Sequence, residues 1–426
     1  MTNSETKNFS QNASSSYHLG GECSDECKKD SLNVPKLRFK GYNEEWVEKR
    51  IEKVLKIKHG KDKKAIETQD GRYPILATSG EIGRSNTFLW NKPCVLIGRK
   101  GTINKPQYMD IPFWTVDTLF YSDVFQENNA KYLYYLFNTI NWEKYDESTG
   151  VPSLSAKTIE RIKIKISNNA QEQEKIASFL TLIDKKIEKQ KELVGLLKKY
   201  KRGLLSQIFS QKLRFKDENW NNYPDWEEKT LNNIFDTVTD FVAAGSFADL
   251  RKNVQYNEKP DFAQLVRTID LKNNFKNKDF VFISESAYNY LWRVNLNEDA
   301  LILPNIGANI GEVYYIYSFK LPYKNNVLGP NAILLKSSNN NLYYLYSRCL
   351  TDNFRKQLFL QVGASGQPKF NKTDLKKIKI KISINIDEQN KISEFLSKFD
   401  EKILQEERIL DKLQNYKKGL LQQMFI

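Results

Sequence analysis

The chain has 426 residues and a formal net charge of +14, and 12% of its residues are aromatic. This length predicts two or more globular domains, and the positive charge favours a polyanionic partner such as nucleic acid, although a solvated Lys-rich surface would give the same balance. The sequence has no run of about 18 apolar residues and no secretory signal, so we expect neither a membrane helix nor export and predict a cytoplasmic protein.

The N-terminal segment, residues 1–33, is rich in Ser, Asn, Glu and Lys and has little to bury, so we predict a disordered extension. Cys23 and Cys27 lie here near His18, but a second pair of zinc ligands is missing, and we predict no metal site. The four cysteines of the chain form no disulfide framework, which fits a reducing compartment.

A first globular region is predicted for residues 34–167, where short β-like runs are separated by glycines. The patterns predict strands at residues 73–77, 94–97, 113–116 and 162–166, turns at Gly80, Gly83, Gly98 and Gly101, and a helix at residues 130–141. The run 162–166 alternates Ile with Lys, as expected of a strand with one buried face.

A long amphipathic helix follows, in a segment that we assign to residues 168–210. Ile176, Phe179, Leu180, Ile183 and Ile187 recur at helical spacing, followed by Leu193, Leu196, Leu197 and Tyr200, and no proline interrupts the segment. A helix of roughly 35 residues spans about 50 Å at about 1.5 Å per residue. Alone it would leave its apolar stripe in water.

A second globular region is predicted for residues 211–383, followed by a second long helix at residues 384–426. Strands are predicted at residues 264–271, 280–283, 300–303, 312–317, 332–335 and 378–382, and helices at residues 341–348 and 352–360. Both globular regions place a Gly-rich turn after a strand, at residues 97–102 in the first and 306–311 in the second. The flanking motifs of the two globular regions match, whereas their central sequences differ. This suggests two modules that perform the same function on different targets.

The two long helices are copies of one another. Residues 171–209 recur as residues 387–425 without a gap, at an offset of 216 residues (387 minus 171). Because each helix can cover the apolar stripe of the other, we predict an antiparallel intramolecular pair. An ordinary helical hairpin and a coiled coil between chains are the alternatives.

The sequence offers little for catalysis. It has no Gly-x4-Gly-Lys-Ser/Thr loop for a nucleotide and no Asn/Asp-Pro-Pro-Tyr/Phe segment of the kind that amino-methyltransferases use. One nuclease-like pattern, Pro260-Asp261 followed by Asp270-x-Lys272, could bind Mg²⁺ through its carboxylates. The pattern is short, and we favour a plain strand at residues 268–271, so no catalytic residue is predicted.

The Gly-rich turns place backbone N–H groups beside basic side chains, an arrangement that suits a phosphate. Arg can also read guanine, and Asn or Gln can read adenine. An ordinary turn with exposed Lys and Arg is the alternative at each position. The predicted DNA-binding residues are Ser79, Arg84, Arg99, Lys100, Thr102, Lys105, Arg251, Lys252, Lys272, Asn309, Gln367 and Lys369.

These features resemble the specificity subunits of type I restriction-modification systems. The resemblance covers about residues 34–426. The motifs that carry it are Gly150-x-Pro152 and Gly366-x-Pro368, Glu172-Gln173 and Glu388-Gln389 at the helix starts, Gly203-Leu204-Leu205 and Gly419-Leu420-Leu421 near the helix ends, and Phe113-Trp114-x-Val116-Asp117-Thr118 in the first region.

The resemblance implies an α+β fold with two target-recognition domains (34–167 and 211–383), each followed by a conserved spacer helix (168–210 and 384–426). The helices would pair as an antiparallel coiled coil with pseudo-twofold symmetry. Each domain would read one half of a bipartite site in double-stranded DNA. Two modification (methyltransferase) subunits and the restriction/translocase subunits would dock on the chain. S-adenosylmethionine, ATP and Mg²⁺ would serve those partners, leaving this chain non-catalytic and without a cofactor.

The resemblance also implies an interface on the long helices, for the helix pair or for partner subunits. Its predicted residues are Ile176, Phe179, Leu180, Ile183, Tyr200, Leu204, Phe209, Ile392, Phe395, Leu396, Phe399, Tyr416, Leu420 and Phe425. Two other functions stay open: a coiled-coil adaptor without a DNA role, and a stand-alone DNA nuclease or methyltransferase.

Overall fold

The computed structural model describes residues 33–363 and 368–426. The predicted N-terminal extension, apart from Asn33, lies outside these residues, and so do its two cysteines and Gln367. Two compact units make up the chain: Met1–Leu180 with Lys418–Ile426 form the first, and Thr181–Lys417 form the second. Both borders fall inside long helices, so each unit contains part of both helices. No helix of the described residues is long and apolar enough to cross a membrane.

The first unit is built mainly from strands. They are β1 (Val47–Arg50), β2 (Leu55–Lys58), β3 (Glu67–Thr68), β4 (Tyr73–Ala77), β5 (Gly80–Ser85), β6 (Cys94–Gly98), β7 (Gln107–Met109), β8 (Trp114–Thr115), β9 (Leu119–Val124) and β10 (Lys163–Ile166). The helices are α1 (Ala130–Phe137), α2 (Ala156–Arg161) and the first turns of α3 (Ala170–Phe209), with 3-10 turns at Ile51–Lys53 and Trp142–Tyr145. The strands form two four-stranded sheets, β2-β9-β6-β7 and β3-β5-β4-β8, and β1 pairs with β10.

The run 79–84 is mostly a strand rather than the predicted turn. β4 and β5 form a hairpin joined by Thr78 and Ser79, and Gly80 has a φ of +113°, a left-handed value that favours glycine. β5 also pairs with β3 on its other edge. Its backbone groups therefore serve the sheet, and Gly83 continues the strand.

The second unit contains more helix. Its strands are β11 (Glu227–Thr230), β12 (Thr237–Asp240), β13 (Ala263–Val266), β14 (Val281–Ile283), β15 (Ala300–Pro304), β16 (Tyr314–Ile316), β17 (Asn326–Leu328), β18 (Ala332–Lys336) and β19 (Lys379–Ile382). Its helices are α4 (Leu231–Ile234), α5 (Phe247–Asn253), α6 (Thr268–Lys272), α7 (Glu285–Tyr290), α8 (Leu342–Cys349), α9 (Asp352–Phe359), α10 (Lys372–Lys377) and α11 (Ile386–Met424), with 3-10 turns at Phe241–Ala244, Trp292–Val294 and Ser318–Lys320.

The strands of the second unit form the sheets β12-β18-β15-β16 and β14-β13-β17, and β11 pairs with β19. β15 and β18 are buried on both faces. Leu301 and Leu303 belong to one core cluster, whereas Ala300 and Ile302 belong to another. This alternation follows from the two-residue period of a strand, and it places a hydrophobic core on each side of the sheet.

The prediction of a strand at residues 268–271 is wrong. β13 ends at Val266, and α6 begins at Thr268. The buried carboxylate of Asp270 accepts hydrogen bonds from the backbone N–H of Arg267 at 2.8 Å and from its Nη2 at 2.9 Å. Because this closes the first helical turn locally, the chain turns away from the sheet.

The two long helices run antiparallel within the second unit, which confirms the predicted intramolecular pair. Their cross-helix contacts are Asp184–Lys417 at 2.5 Å, Lys201–Asp400, and Gln190 Nε2 to Glu406 Oε2 at 2.7 Å. The two ion pairs are equivalent under the 216-residue repeat, and Gln190 and Glu406 are themselves 216 residues apart. The pseudo-twofold axis of the pair therefore passes beside Gln190 and Glu406.

Each long helix begins with a buried glutamate that binds a tryptophan and an arginine. In the first unit, the carboxylate of Glu172 accepts hydrogen bonds from Arg38 at 2.6 Å and from Trp46 Nε1 at 3.3 Å. The equivalent contacts in the second unit are Glu388 with Trp226 Nε1 at 2.9 Å and with Arg214 at 3.4 Å. The Glu-Gln motif is thus a structural anchor in both copies.

The same tryptophans also hold the ends of the helices. In the first unit, the ring of Phe425, directly after α11, lies 6.0 Å from that of Trp46 and 5.4 Å from that of Tyr132. The equivalent distances in the second unit are 5.8 Å from Phe209 to Trp226 and 5.4 Å from Phe209 to Tyr344. Each tryptophan therefore contacts the start of one helix and the end of the other.

The loop that follows α3 carries a strained tryptophan. Trp220 has a φ of +63° and is 79% exposed, and a bulky side chain with a left-handed backbone is energetically unfavourable. We expect Trp220→Gly to raise the free energy of unfolding of the second unit by about 1 kcal/mol, because glycine adopts this backbone without strain while its greater freedom in the unfolded chain offsets part of the gain. Urea denaturation measures the change.

The control is Glu218→Gly, at an exposed neighbouring position of the same loop outside the residues with positive φ. This change should destabilise the unit, since it adds unfolded-state freedom without relieving strain. Equal effects of the two substitutions would show that the backbone of Trp220 is not strained.

Candidate DNA-recognition surface

A Gly-containing turn with the same hydrogen bonds occurs in both units. In the first, the N–H of Gly101 donates to the carbonyl of Pro152 at 2.8 Å, and the N–H of Leu154 donates to the carbonyl of Arg99 at 2.9 Å. The equivalent bonds in the second are Gly307 to Pro368 at 3.0 Å and Phe370 to Asn305 at 3.1 Å. The two glycines have φ values of +85° and +86°. We call this arrangement the shared frame; it ties the Gly-rich turn to the Gly-x-Pro segment.

The shared frame fixes the correspondence between the diverged centres of the two regions. Gly101 is equivalent to Gly307 and Arg99 to Asn305, an offset of 206 residues (307 minus 101). The helices, by contrast, correspond at an offset of 216. Residues 97–102 therefore match residues 303–308, and the same backbone position carries an arginine in one unit and an asparagine in the other.

The predicted use of the turn's backbone N–H groups for a phosphate is wrong for three of its residues. The N–H groups of Arg99 and Lys100 donate to the carbonyl of Thr118, at 2.9 and 3.3 Å, and that of Gly101 donates to Pro152. These three groups are already paired within the fold, so Arg99 and Lys100 can reach a ligand only through their side chains.

Most of the predicted contact residues of the first unit lie on or next to two neighbouring turns, whereas Arg84 lies in β5. The hairpin turn of Ser79 is beside Gly101, since the Thr78 hydroxyl is 3.8 Å from where a Cβ would stand on that glycine. Lys100, Thr102, Lys105 and Ser79 are exposed, Arg84 pairs with Glu81 at 3.0 Å, and Arg99 pairs with Asp117 and lies over the ring of Phe120. The structure thus brings most of this group together.

The predicted contact residues of the second unit are centred on residues 305–311. Lys369 pairs with Ile306 in an isolated β-bridge, and Lys272 Nζ donates to Asn309 Oδ1 at 3.1 Å. Arg251 is exposed on α5 and lines a cavity together with Ile306, and Lys252 is its exposed neighbour.

A basic cleft of about 920 Å³ lies in the second unit, and Lys272 is the only predicted contact residue among those that line it. Its basic lining residues are Arg202, Lys272, Arg348, Arg355, Lys379 and Lys381. Arg348 is only 4% exposed and donates to the carbonyl of Lys381, the hydroxyl of Thr351 and Asn353 Oδ1, with no ion-pair partner among the described residues. Burial lowers the pKa of its guanidinium. An arginine in a helical pattern gives no sequence signal for such burial.

The predicted interface residues of the helices divide into two groups. The buried or half-buried ones are Ile176, Phe179, Leu180, Ile183, Leu204, Phe209, Ile392, Phe395, Leu396, Phe399, Leu420 and Phe425. In these positions the chain covers its own side chains at least in part, and the binding of partner subunits by the long helices stays a prediction. Tyr200 and Tyr416 are exposed.

The predicted apolar stripe also departs from the structure in the middle of α3. Leu193 and Leu196 are exposed, whereas Val194 is buried. The central contact of the pair is the polar one between Gln190 and Glu406, so this part of the helix does not continue the seam that its apolar residues predicted.

The nuclease-like pattern is not assembled as a metal site. Both carboxylate oxygens of Asp270 are engaged by Arg267, and Asn277 also donates to Oδ1 at 2.6 Å. Asp261 accepts from Asn257 and from the N–H of Phe262. The described residues contain no cluster of three His, Cys, Asp or Glu side chains that could hold a metal ion.

The chain contains two α+β modules that share one hydrogen-bonded frame and carry basic side chains around it. Each module is linked to the paired long helices. This arrangement defines a duplicated recognition protein. Residues 43–194 and 223–415 match the model of the type I restriction modification DNA specificity domain, and the chain belongs to this family. The family and the fold class expected from the sequence are thereby confirmed.

Individual relatives agree with this assignment. A type I restriction enzyme MjaIX specificity subunit from Methanocaldococcus jannaschii is 28% identical over 259 residues, which is 58% of this chain and 57% of that protein. A putative type I specificity subunit from Mycoplasma genitalium is 21% identical over 406 residues, 92% of this chain and 96% of that protein. A crystal structure of a type I S subunit from M. genitalium matches 92% of this chain and 99% of its own with a TM-score of 0.58 at 18% identity, which concerns the fold alone.

Proposed function

We propose that this chain reads the two halves of a bipartite DNA site, one with each target-recognition domain (34–167 and 211–383). The observation that carries the proposal is the shared frame. The same backbone hydrogen bonds recur in both units, yet the side chains displayed on them differ, as at Arg99 and Asn305. One scaffold with two sets of side chains suits the reading of two different short sequences.

Electrostatic attraction would supply much of the affinity. The chain carries a formal net charge of +14, and exposed Lys100, Lys105, Lys252 and Lys369 lie on or near the shared frames. Neutralising phosphates with such side chains releases counterions and brings the protein to DNA. Covalent linkage of two weakly binding domains then raises the affinity through effective concentration.

The long helices would set the distance between the half-sites. α3 has 40 residues and α11 has 39, so each extends about 60 Å at about 1.5 Å per residue. Two half-sites on one face of B-DNA are about 34 Å apart, or a multiple of that distance. Rigid helices of this length can impose such a spacing.

Partner subunits would perform the chemistry. Two methyltransferase subunits and the restriction/translocase subunits would dock on the chain, using S-adenosylmethionine, ATP and Mg²⁺, while this chain supplies no catalytic group and no cofactor site. Exposed apolar side chains on the helices, among them Leu193, Leu196, Tyr200 and Tyr416, are suited to this docking.

Deleting the gene should remove adenine methylation from one DNA motif that consists of two short specific halves separated by a fixed gap. Without this chain the methyltransferase subunits would have no means to select their site. Single-molecule methylome sequencing of the native host and of the deletion strain measures the loss and identifies the motif.

Re-expression of the chain in the deletion strain should restore the same motif. If the two methylomes are identical, co-expression with the neighbouring methyltransferase subunit in a methylation-free host separates a silent system from a wrong proposal. Methylation of no split motif in that host would contradict the proposed function.

A further inference from the structure

The helix pair has a central seam of buried or half-buried side chains. Successive seam positions are three or four residues apart, which is the spacing of a coiled coil. Within the second unit they are Ile183, Ile187, Gln190, Val194, Leu197 and Lys201 on α3, and Phe399, Ile403, Glu406, Leu410, Leu413 and Lys417 on α11. Because the two helices are copies, the apolar positions of the seam do not distinguish α3 from α11.

The ends of the helices do not distinguish them either. The ring of Phe425 lies 6.0 Å from that of Trp46, and the ring of Phe209 lies 5.8 Å from that of Trp226. The same aromatic side chain thus fits both sites, and Phe209 of a second chain could take the place of Phe425 beside Trp46. Other contacts must decide whether a helix pairs with its partner or with its own copy in another chain.

One such contact lies at the centre of the pair, where the two copies differ. Gln190 Nε2 donates to Glu406 Oε2 at 2.7 Å and to the carbonyl of Glu406 at 3.0 Å. Because these positions are equivalent under the repeat, each would face itself in a pair of like helices. The side chain of Glu406 is only 9% exposed, so two such carboxylates facing each other would oppose the pairing of α11 with a second α11.

Lys402 does not remove this cost. It pairs with Glu406 at 2.5 Å, but both residues belong to α11, so the ion pair is present in either pairing. Only the pairing with α3 adds the hydrogen bond from Gln190.

A second contact opposes the pairing of α3 with another α3. Lys198 forms an ion pair with Glu407 at 2.6 Å. The residue of α3 that corresponds to Glu407 is Lys191 (407 minus 216). In a pair of α3 helices each Lys198 would therefore face Lys191 of the other chain, and the twofold symmetry would repeat the repulsion. Charged residues that flank the seam in this way set partner choice in coiled coils.

The order of synthesis makes the pairing of α3 with α3 a real competitor. The 216 residues that separate the copies take about 10–40 s to synthesise at about 5–20 residues per second. During this time α11 is absent and the apolar seam of α3 is uncovered. A neighbouring chain at the same stage of synthesis offers an identical seam.

We propose that the contacts Gln190–Glu406 and Lys198–Glu407 determine which helices pair, by favouring α3 against α11 and disfavouring either helix against its own copy in a second chain. Every helix pair then carries one copy of each globular region, whereas a pair of like helices would join two identical regions. The inference concerns the assembly of the chain and does not depend on the proposed function.

The test co-expresses two copies of the full chain that carry different affinity tags. The amount of the second copy that is captured with the first measures pairing between chains, and light scattering gives the mass of the captured species. The wild-type chain should be captured mainly as a monomer. Lys198→Glu should raise the captured amount of the second copy about tenfold, because it places a glutamate against Glu407 in the native pair and against Lys191 in a pair of α3 helices.

Lys199→Glu is the matched control, since it makes the same charge change at an exposed neighbouring residue outside the seam, and it should behave as the wild type. Adding Glu407→Lys to Lys198→Glu restores an ion pair of reversed sign between α3 and α11, so capture should return towards the wild-type amount. A dimer that exchanges helices but keeps α3 against α11 has the same contacts as the monomer, and its amount should not respond to these substitutions.

Glu406→Gln provides a second variant, because an amide keeps the size of the side chain and can still bond to Gln190. It removes the facing carboxylates from a pair of α11 helices and should also raise capture. Equal capture by Lys198→Glu and Lys199→Glu would overturn the inference, and so would a rise that Glu407→Lys does not reverse. Captured species heavier than a dimer would count against it as well, because aggregation would then explain the rise.

Discussion

Replacing Glu172 with Ala should lower the free energy of unfolding of the first unit by about 3–5 kcal/mol, since it leaves a largely buried arginine without its carboxylate. The side chain of Glu172 is fully buried, and Arg38, Trp46 and Ser167 all donate hydrogen bonds to it. Glu388→Ala should destabilise the second unit in the same way. Urea denaturation, with hydrogen exchange to assign each transition to its unit, measures both effects.

Because of the same carboxylate, we expect the free energy of unfolding of the first unit to fall at low pH. Burial acts to raise the pKa of Glu172, but the hydrogen bonds from Arg38, Ser167 and Trp46 outweigh it and hold the pKa below its usual range. A folded-state pKa below the unfolded value contributes stability that is complete above the unfolded pKa and is lost as the pH falls through the folded pKa. Glu172→Gln should remove this part of the pH dependence.

Glu127→Ala is the control, because Glu127 is exposed in the same unit, and it should change stability by less than about 0.5 kcal/mol. Equal free energies of unfolding of the Glu172 and Glu127 variants would mean that the buried carboxylate does not stabilise the first unit.

Sequence periodicity was sufficient for the long helices and their pairing. Two gap-free copies of an amphipathic pattern require a partner for each apolar stripe, and Asp184–Lys417 with Lys201–Asp400 provides the symmetric contacts. Periodicity could not place the centre of the pair, because a polar contact between Gln190 and Glu406 interrupts the apolar seam.

The sequence alone did not show which residues of the two recognition domains are equivalent. Arg99 and Asn305 have different side chains, and the offset between the two Gly-rich turns is ten residues smaller than the offset between the helices (216 minus 206). The backbone hydrogen bonds from Leu154 and Phe370, together with those from Gly101 and Gly307, show that these positions are equivalent. A frame that is made by the backbone leaves its side chains free to diverge, which is the reason for its weak sequence signal.

The role of Asp270 shows why the nuclease-like pattern misled. A carboxylate two residues before a lysine is common to metal sites and to capped helix starts. Here the neighbouring Arg267 engages the carboxylate and ends the strand early. The pairing of Asp270 with Arg267 determined the local structure, and the spacing between the carboxylate and the lysine could not reveal it.

Phe425→Ala should lower the free energy of unfolding of the first unit by about 3–5 kcal/mol, the usual cost of removing a buried phenylalanine ring. Phe425 packs on Trp46 and Tyr132, whose positions in the chain are remote from it. Hydrogen exchange should show lost protection in β1 and α1 and unchanged protection in β12 and β18. Phe209→Ala should give the reverse pattern, and Ile426→Ala, at an exposed position, should have little effect.

The physical reason lies in Trp46, which donates a hydrogen bond to Glu172 at the start of α3 and packs on Phe425 at the end of α11. A cavity at Phe425 therefore weakens the packing of the start of α3 and the end of α11 against the first recognition domain. In DNA binding, the variant should retain affinity for the second half-site alone and lose discrimination against altered gap lengths, because a spacer helix can fix a distance only where its ends are held. Loss of protection confined to α11 would contradict this account.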